Sequence, residues 1–403
     1  MQFCTLEDIR RAQGVLAGVA EHTPMFTSET LSRLTGATVY LKAENLQRTG
    51  SFKLRGAYNK VMSLSQAQKA AGVIAASAGN HAQGVALAAA RAGVPATIVM
   101  AETASMAKVA ATRGYGARVV LAGCNYDEAY EKARALQAEY GYTFVHAYND
   151  LAVIAGQGTV GVEIAADVPD AEVVVVPIGG GGLIAGVATA VKALIPGVKV
   201  VGVQAKGAPA AYLSHQYGQV RGADVSRTLA DGLAVKQPGD LTFAHIQRLV
   251  DEIVLVDEDA IAHAMYLLLE RAKLVVEGAG AASVAALLSG ATRWPGRKVV
   301  ALLSGGNIDT GLLARIVDRG MARDGRYFRL VTRLADQPGA LRALLDVVAS
   351  QKGNIVAVNH DRLRGDVGPG EAEVSLIIET RDADHRRVLG EALTAAGYEW
   401  REA

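Results

Sequence analysis

Short apolar runs separated by alanine-rich stretches recur along most of this chain, and this alternation restricts the fold more than any other feature. The runs are continuous and rich in β-branched residues, which is typical of strands buried on both faces of a parallel sheet. The predicted strands cover residues 72–76, 95–100, 117–121, 173–177, 198–204 and 299–303, and the predicted helices cover residues 81–91, 126–140 and 184–193. Such alternation predicts an open α/β fold, whose ligands bind beyond the carboxyl ends of the strands.

Length and composition limit the class of protein. With 403 residues the chain exceeds the usual size of one domain, so two or three compact units are expected. A net charge of +1 provides no overall attraction to nucleic acid or to a membrane surface, and neither is a predicted partner. No apolar stretch is long enough to span a bilayer, and residues 1–10 lack a secretory pattern. Cys4 and Cys124 cannot build a disulfide framework, so we expect a cytoplasmic protein.

The pattern changes near residue 322, where the polar segment 321–326 interrupts the alternation. Beyond it the sequence predicts strands at 327–334, 355–363, 371–380 and 398–401 and helices at 338–352 and 383–396. This βαββαβ order is that of a small ferredoxin-like α/β sandwich. The predicted domains are therefore residues 1–322 and residues 326–403. Because the second domain holds no plausible pair of nucleophile and base, we interpret it as a regulatory or assembly module.

Lys53 lies in the segment 49–57, where Ser51 and Phe52 suit a half-buried turn that enters a helix. A lysine amine forms an imine only when it is uncharged, and burial lowers lysine pKa values readily. Most lysines are solvated surface residues, and Lys53 considered alone would be interpreted in that way. The glycine-rich loop and the serine described next favour a reactive amine instead.

Four consecutive glycines, Gly179, Gly180, Gly181 and Gly182, separate a predicted strand from a predicted helix. Successive glycines permit positive φ angles and let the backbone N–H groups approach a phosphate at the positive end of a helix. The alternative is a flexible turn, but four glycines carry a large entropic cost without a ligand. The contiguous spacing fits a dinucleotide fingerprint poorly. The loop therefore predicts a phosphate cradle.

Residues 77–81, Ser-Ala-Gly-Asn-His, form another turn between a strand and a helix. The Asn80 side chain both donates and accepts hydrogen bonds, so it could hold a phenolic oxygen. The helix N-terminus beside it is a favourable position for a substrate carboxylate. Ser and Asn are also common helix caps, and for His81 alone we favour the simpler interpretation of a surface residue.

Ser304 follows the predicted strand 299–303 and precedes two glycines. Considered alone it would be an ordinary turn serine at a strand end. A hydroxyl beside a pyridine nitrogen leaves that nitrogen largely unprotonated, which suits elimination better than chemistry that needs a long-lived carbanion. An amine, a phosphate cradle and a hydroxyl match a cofactor that carries an aldehyde and a phosphate. That cofactor is pyridoxal 5′-phosphate.

The chain resembles the fold-type II pyridoxal-phosphate enzymes and, among them, the threonine dehydratases, also called threonine ammonia-lyases. The motifs that carry the resemblance lie at residues 42–47, 51–57, 77–84, 179–183 and 304–307, and it extends over nearly the whole chain. It implies two open α/β subdomains with mainly parallel sheets. The segments 336–341 and 353–355 look like an ACT domain, a module that commonly binds amino acids.

The resemblance implies a role for each motif. Lys53 would be the catalytic residue and form the Schiff base with the cofactor, Asn80 would contact the cofactor's 3-oxygen, and Ser304 would bond its ring nitrogen. The other implied cofactor contacts are Phe52, Gly179, Gly180, Gly181, Gly182 and Leu183. The implied substrate contacts are Ser77, Ala78, Gly79, Asn80 and His81, and the implied effector contacts are Pro338, Gly339, Asn354 and Ile355.

The implied reaction converts L-threonine to 2-oxobutanoate and ammonia. Side activity on L-serine, giving pyruvate, is expected because a pocket discriminates one methyl group by only about 1–3 kcal/mol. Ala78 stands where the serine racemases of this family carry a second serine, which argues against racemisation as the main activity. The alternatives are serine racemase, another β-eliminating enzyme such as diaminopropionate lyase, and a non-enzymatic amino-acid sensor.

The expected partners are an amino-acid substrate, an amino-acid effector bound by the tail, and further copies of the chain. The long biosynthetic form of the family carries two ACT modules, whereas this tail has room for one. The edge strands of a single module need covering, which predicts a homodimer or homotetramer. No metal site is predicted, and Asp231 and Glu277 stand out only as acidic residues beside glycines.

Overall fold

The computed structural model describes residues 2–363 and 367–402. The chain divides into two compact units, Met1–Ile308 and Asp309–Ala403. The border predicted from the sequence, at 322–326, lies one helix further along the chain than this division, because the helix Thr310–Arg323 groups with the second unit. No helix within the described residues is long and apolar enough to cross a membrane.

The first unit alternates strands with helices along most of its length, as the sequence predicts. Its helices are α1 Leu6–Leu16, α2 Glu29–Thr35, α3 Lys53–Met62, α4 Gln66–Ala71, α5 Asn80–Ala92, α6 Met106–Gly114, α7 Tyr126–Tyr140, α8 Leu151–Asp167, α9 Gly182–Leu194, α10 Ala210–Tyr217, α11 Asp240–Leu249, α12 Glu258–Leu267 and α13 Gly278–Leu288. Its strands are β1 Met25–Thr27, β2 Thr38–Ala43, β3 Val73–Ala76, β4 Ala96–Met100, β5 Arg118–Leu121, β6 Thr143–Phe144, β7 Val173–Pro177, β8 Lys199–Ala205, β9 Glu252–Val256 and β10 Lys298–Leu303.

Two sheets form this unit. The larger has the strand order β1-β2-β10-β7-β8-β9, and every neighbouring pair except β1 and β2 is parallel. The smaller has the order β5-β4-β3-β6 and is parallel throughout. The predicted α/β fold with mainly parallel sheets is confirmed. Because β2, β10 and β7 are neighbours, the loops that follow them leave the same edge of the larger sheet.

Strand β7 illustrates why the continuous apolar runs form central strands. All five of its residues are buried, and α9 and α13 pack against it. Val174 and Val176 belong to the same core cluster as Ile184 and Val187 of α9. A strand with a polar residue at every second position could not be covered on both faces in this way.

A buried ion cluster of Lys42, Glu44, Arg55 and Glu163 joins β2, α3 and α8. Arg55 Nε donates to Glu44 Oε2 at 2.9 Å, and its Nη1 donates to Glu163 Oε1 at 2.6 Å. Lys42 Nζ lies 2.8 Å from Glu163 Oε2. Buried charges are stable only when they are paired in this way, so the cluster fixes the orientation of α3, which begins at Lys53.

The second unit contains α14 Thr310–Arg323, β11 Tyr327–Ala335, α15 Ala340–Ser350, β12 Asn354–Asp361, β13 Glu371–Glu379, α16 Ala383–Ala395 and β14 Trp400–Glu402. The four strands form an antiparallel sheet in the order β12-β13-β11-β14. The βαββαβ element order predicted from the sequence is present. Helix α15 begins later than predicted, because Gly339 has a left-handed φ of 93° that the helix cannot include.

Candidate active site

The loops after β2 and β10 are joined by backbone hydrogen bonds. Phe52 N donates to Ser304 O at 3.2 Å, and Gly306 N donates to Gly50 O at 2.8 Å. Ser51 forms an isolated β-bridge with Gly305. The motifs around Lys53 and Ser304, although about 250 residues apart in the chain, therefore form one surface at the carboxyl edge of the sheet.

Lys53 is the first residue of α3, and its side chain is partly buried. Its Nζ donates to Ala147 O at 3.3 Å and lies 5.0 Å from the centre of the Phe52 ring. Burial lowers the pKa of Lys53 to about 8, although the nearby Glu277 acts in the opposite direction. An amine in this environment is uncharged much more often than a surface lysine at neutral pH.

The four-glycine loop connects β7 to α9 and packs tightly against its surroundings. A Cβ on Gly180 would lie 2.3 Å from Tyr148 Cδ1, and a Cβ on Gly181 would lie 2.8 Å from Ile246 Cδ1. Gly181 has a φ of 94°, and Thr242 Oγ1 donates to Gly180 O at 2.6 Å. The loop is therefore held in a shape that only glycine allows, at a helix N-terminus whose first N–H groups lack partners within the helix.

The 77–81 loop connects β3, a strand of the smaller sheet, to α5. Ser77 Oγ accepts from Gly79 N at 3.2 Å, and Asn80 begins the helix. The interpretation of His81 as a surface residue is wrong, because its side chain is buried and its Nε2 lies 2.8 Å from Val145 O. Burial, and secondarily the charge of Lys53, lowers the pKa of His81 to about 3, so the ring is neutral.

Glu277 is a residue of the site to which the sequence assigns no role. It precedes α13, is buried, and accepts a hydrogen bond from Asn80 Nδ2 at 2.6 Å. Burial, and then the charge of Asp231, raises the pKa of Glu277 to about 7. Asp231 itself has an exposed side chain and pairs with Lys108 at 3.3 Å. The only sequence signal for Glu277 is an acidic residue at the start of an apolar, alanine-rich helix.

Asn307 and Tyr148 also have no role assigned from the sequence. Asn307 Nδ2 donates to Asn80 Oδ1 at 2.7 Å, so the 77–81 loop is connected to the loop after β10. Tyr148 lies against the backbone of Gly180 and Gly182. Asn307 belongs to the same sequence motif as Ser304, whereas Tyr148 occurs in a segment with no recognisable pattern.

The predicted effector residues are not brought together within one copy of the chain. Pro338 and Gly339 are exposed and follow the end of β11. Asn354 begins β12 and pairs with Glu379, which also pairs with the first residue of β11. The two turns therefore lie at opposite ends of the sheet, about the length of a nine-residue strand apart, roughly 30 Å.

The residues of the first unit fit pyridoxal phosphate. Lys53 offers an amine with a lowered pKa, and the glycine loop at the start of α9 has no space for a Cβ but exposes helix N–H groups to a phosphate. Ser304 is buried where β10 ends, and Leu183 is buried in the first turn of α9. Each chemical group of the cofactor thus has a matching protein group near the same sheet edge.

Comparisons with known proteins agree with this chemistry. A family model described as pyridoxal-phosphate dependent enzyme matches residues 17–305. An L-threonine ammonia-lyase from Thermotoga maritima is 50% identical over 397 residues, which cover 98% of this chain and 99% of that protein. The solved structure of processed threonine deaminase isoform 2 from Solanum lycopersicum has a TM-score of 0.74 and 40% identity, and the match covers 78% of this chain and 86% of that one. Maize serine racemase has a TM-score of 0.75 and 34% identity, and the match covers 80% of this chain and 99% of that one.

The family model covers well over half of the chain, and it includes Lys53, the 77–81 loop, the glycine loop and Ser304. This chain belongs to the family of pyridoxal-phosphate dependent enzymes, and its cofactor is pyridoxal 5′-phosphate.

Proposed function

We propose that this protein is a threonine ammonia-lyase, which converts L-threonine to 2-oxobutanoate and ammonia and acts on L-serine as a secondary substrate. The observation that carries the proposal is the partly buried Lys53, with its pKa lowered to about 8, on the sheet edge that also bears the glycine loop. It is supported by 50% identity over nearly the full length to a protein with this activity.

Each site residue has a proposed task. Lys53 would hold the cofactor, the backbone N–H groups of the glycine loop and Leu183 would bind its phosphate, and Ser304 would bond its ring nitrogen. Phe52 would line the pocket beside the amine, and Asn80 would contact the 3-oxygen. The 77–81 loop would bind the substrate carboxylate at the N-terminus of α5.

When bound, pyridoxal phosphate supplies a conjugated ring that accepts electrons from the substrate Cα. The amine of Lys53, once released by the incoming substrate, is the proposed base that removes the Cα proton. Threonine then loses its β-hydroxyl, which amounts to loss of one water, and addition of water releases ammonia and 2-oxobutanoate. The neutral His81 adds no positive charge that would further lower the pKa of Lys53 and weaken it as a base.

Ala78 supports elimination over racemisation. Racemisation needs a second acid-base group on the opposite face of the substrate, and alanine has none. The likeness to maize serine racemase keeps that reaction as the second candidate. Incubation with L-serine distinguishes the two reactions, because a racemase converts L-serine to D-serine whereas a lyase releases a 2-oxo acid.

We also propose that the second unit is an ACT-like regulatory domain and that copies of the chain associate through it. Strand β12 lies at an edge of the sheet and exposes Val356 and Val358. An unpaired edge of this kind favours addition of another strand. Antiparallel pairing of two β12 strands would bring Asn354 of the partner subunit to the sheet end that carries Pro338, so an effector amino acid would bind between copies.

The free cysteines, Cys4 and Cys124, accord with a cytoplasmic location.

The test of the catalytic proposal is release of 2-oxo acid from L-threonine and from L-serine. We compare the wild type with Lys53→Ala and with Lys132→Ala, which changes an exposed lysine of α7. Oxobutanoate is expected from the wild type and Lys132→Ala and not from Lys53→Ala. Formation of D-serine without any oxo acid would move the assignment to racemisation.

A further inference from the structure

A chain of hydrogen bonds passes through the side chains of Asn307, Asn80 and Glu277. Asn307 Nδ2 donates to Thr49 O and to Asn80 Oδ1, both at 2.7 Å. Asn80 Nδ2 donates in turn to Glu277 Oε1 at 2.6 Å. The Glu277 side chain is buried. The backbone N–H of Glu277 donates to Gly305 O at 3.1 Å, which holds this residue to the loop after β10.

This series of hydrogen bonds determines which way the side-chain amides of Asn307 and Asn80 are turned. Thr49 O is a carbonyl oxygen and only accepts hydrogen bonds, so the Asn307 nitrogen faces it and also donates to Asn80 Oδ1. Asn80 Nδ2 is thereby turned toward Glu277, whose carboxyl accepts from it. Reversing the Asn307 amide would place its oxygen against Thr49 O. Reversing the Asn80 amide would place its nitrogen against Asn307 Nδ2. The first reversal opposes two acceptors and the second opposes two donors, so each replaces a hydrogen bond with an unfavourable contact and one orientation of Asn80 is selected.

The backbone leaves little space for these side chains to rearrange. A Cβ on Gly305 would lie 2.3 Å from Glu277 Oε1 and 3.1 Å from Asn80 Nδ2. A Cβ on Gly50, which has a φ of 69°, would lie 2.4 Å from Asn307 Oδ1. The backbone at Gly305 and at Gly50 therefore packs against the side chains of Glu277 and Asn307, and glycine is required at both positions.

We propose that Glu277 and Asn307 are positioning residues that orient the Asn80 amide so that its nitrogen, and not its oxygen, is offered to the cofactor. Glu277 takes one of the two hydrogens on Asn80 Nδ2, and the other is left to donate to the cofactor's 3-oxygen. The inference rests on the proposed contact between Asn80 and that oxygen. A fixed donor stabilises the 3-oxygen without its proton, whereas an amide that can turn over presents an acceptor part of the time.

The test is the absorption spectrum of the holoenzyme, since the visible band and the near-ultraviolet band of the bound cofactor report the unprotonated and protonated 3-oxygen respectively. The variants are Asn80→Ala, Asn307→Ser, Glu277→Gln and the double variants that combine each of the last two with Asn80→Ala. Asn307→Ser changes no charge, so it separates positioning from a direct electrostatic effect. Circular dichroism and cofactor content verify that each variant is folded and loaded.

Asn307→Ser is expected to lower the ratio of visible to near-ultraviolet absorbance by roughly two- to tenfold, the effect of one hydrogen bond on an equilibrium. In the Asn80→Ala background the same change should have no effect, because the positioned group is gone. Glu277→Gln should change the absorbance ratio in the same way if this variant folds. If it does not fold, Asn307→Ser alone is sufficient for the test.

Two results would overturn the inference. If the effects of Asn307→Ser and Asn80→Ala on the band ratio combine independently, Asn307 does not act through Asn80. If Glu277→Gln raises the ratio in both backgrounds, its carboxylate acts directly by charge and not by positioning. A spectrum unchanged in Asn80→Ala would instead reject the proposed contact of Asn80 itself, and with it the premise of the inference.

Discussion

Lys53, the first residue of the helix that carries Arg55, places its Nζ 3.3 Å from the carbonyl oxygen of Ala147. A backbone carbonyl accepts from the amine in either protonation state but adds no full negative charge. Burial is therefore the dominant influence on the pKa of Lys53, which falls to about 8, while Glu277 partly opposes it. The position combines a fixed amine with a reduced tendency to hold its proton.

The pH dependence of cofactor attachment should follow this pKa. Because only the neutral amine forms the imine, the rate at which apoenzyme acquires the visible cofactor band should rise with pH and level off above about 8. At pH 7 about one amine in ten is then neutral, against roughly one in several thousand for an unperturbed lysine. Stopped-flow absorbance across pH measures the midpoint, and Glu277→Gln should move it lower by removing a negative charge. A midpoint near 10 would contradict the burial of the amine.

Gly181→Ala should weaken cofactor binding roughly tenfold, because a Cβ at a φ of 94° meets Ile246 and Thr242 and pushes the loop out of place. The matched control is Gly197→Ala, which has a φ of 75° but nothing within 4 Å of the added Cβ. Both variants should lose some stability through backbone strain, and only Gly181→Ala should lose affinity, measured by titration of apoenzyme with pyridoxal phosphate. Equal affinities for the two variants would show that the loop does not hold the phosphate.

Arg55→Met should lower the free energy of unfolding by about 3–5 kcal/mol, because it leaves Glu44 and Glu163 buried with less compensating charge. Arg297→Met removes an arginine of the same size whose side chain is 61% exposed beside Glu172, and should cost at most about 1 kcal/mol. Urea unfolding of both variants compares them directly. An Arg55→Met protein as stable as the wild type would mean that the buried ion cluster specifies geometry without adding stability.

Removal of the chain from Arg326 onward should preserve turnover of threonine and abolish the response to amino-acid effectors. The expectation follows from the site, all of whose described residues lie before residue 309. A second truncation, from Asp309 onward, also removes α14 and tests whether that helix belongs with the catalytic unit or the tail. Steady-state kinetics with and without a panel of amino acids provides the measurement. Loss of all activity in both truncations would make the second unit structural.

Much of the fold could be predicted because the relevant signals are local. The strand 173–177 and the helix 126–140 coincide with β7 and α7. The strands β2 and β9 were not predicted. Nor was the two-residue β6, which is too short to show a pattern. The late start of α15 reflects the left-handed Gly339, which a hydrophobic pattern does not reveal.

The sequence by itself determined which loops carry the glycines and the serine, because each of these two motifs directly follows a strand whose apolar pattern is unambiguous. It also placed the amine at a turn that enters a helix. Only the tertiary structure decided that β2, β10 and β7 are neighbours and that α13 brings Glu277 to Asn80, about 200 residues away in the chain. It also decided that His81 is buried and that the two predicted effector turns lie at opposite ends of one sheet. These outcomes depend on strand order and on helix packing, which arise from contacts between distant segments and leave no local pattern in the residues involved.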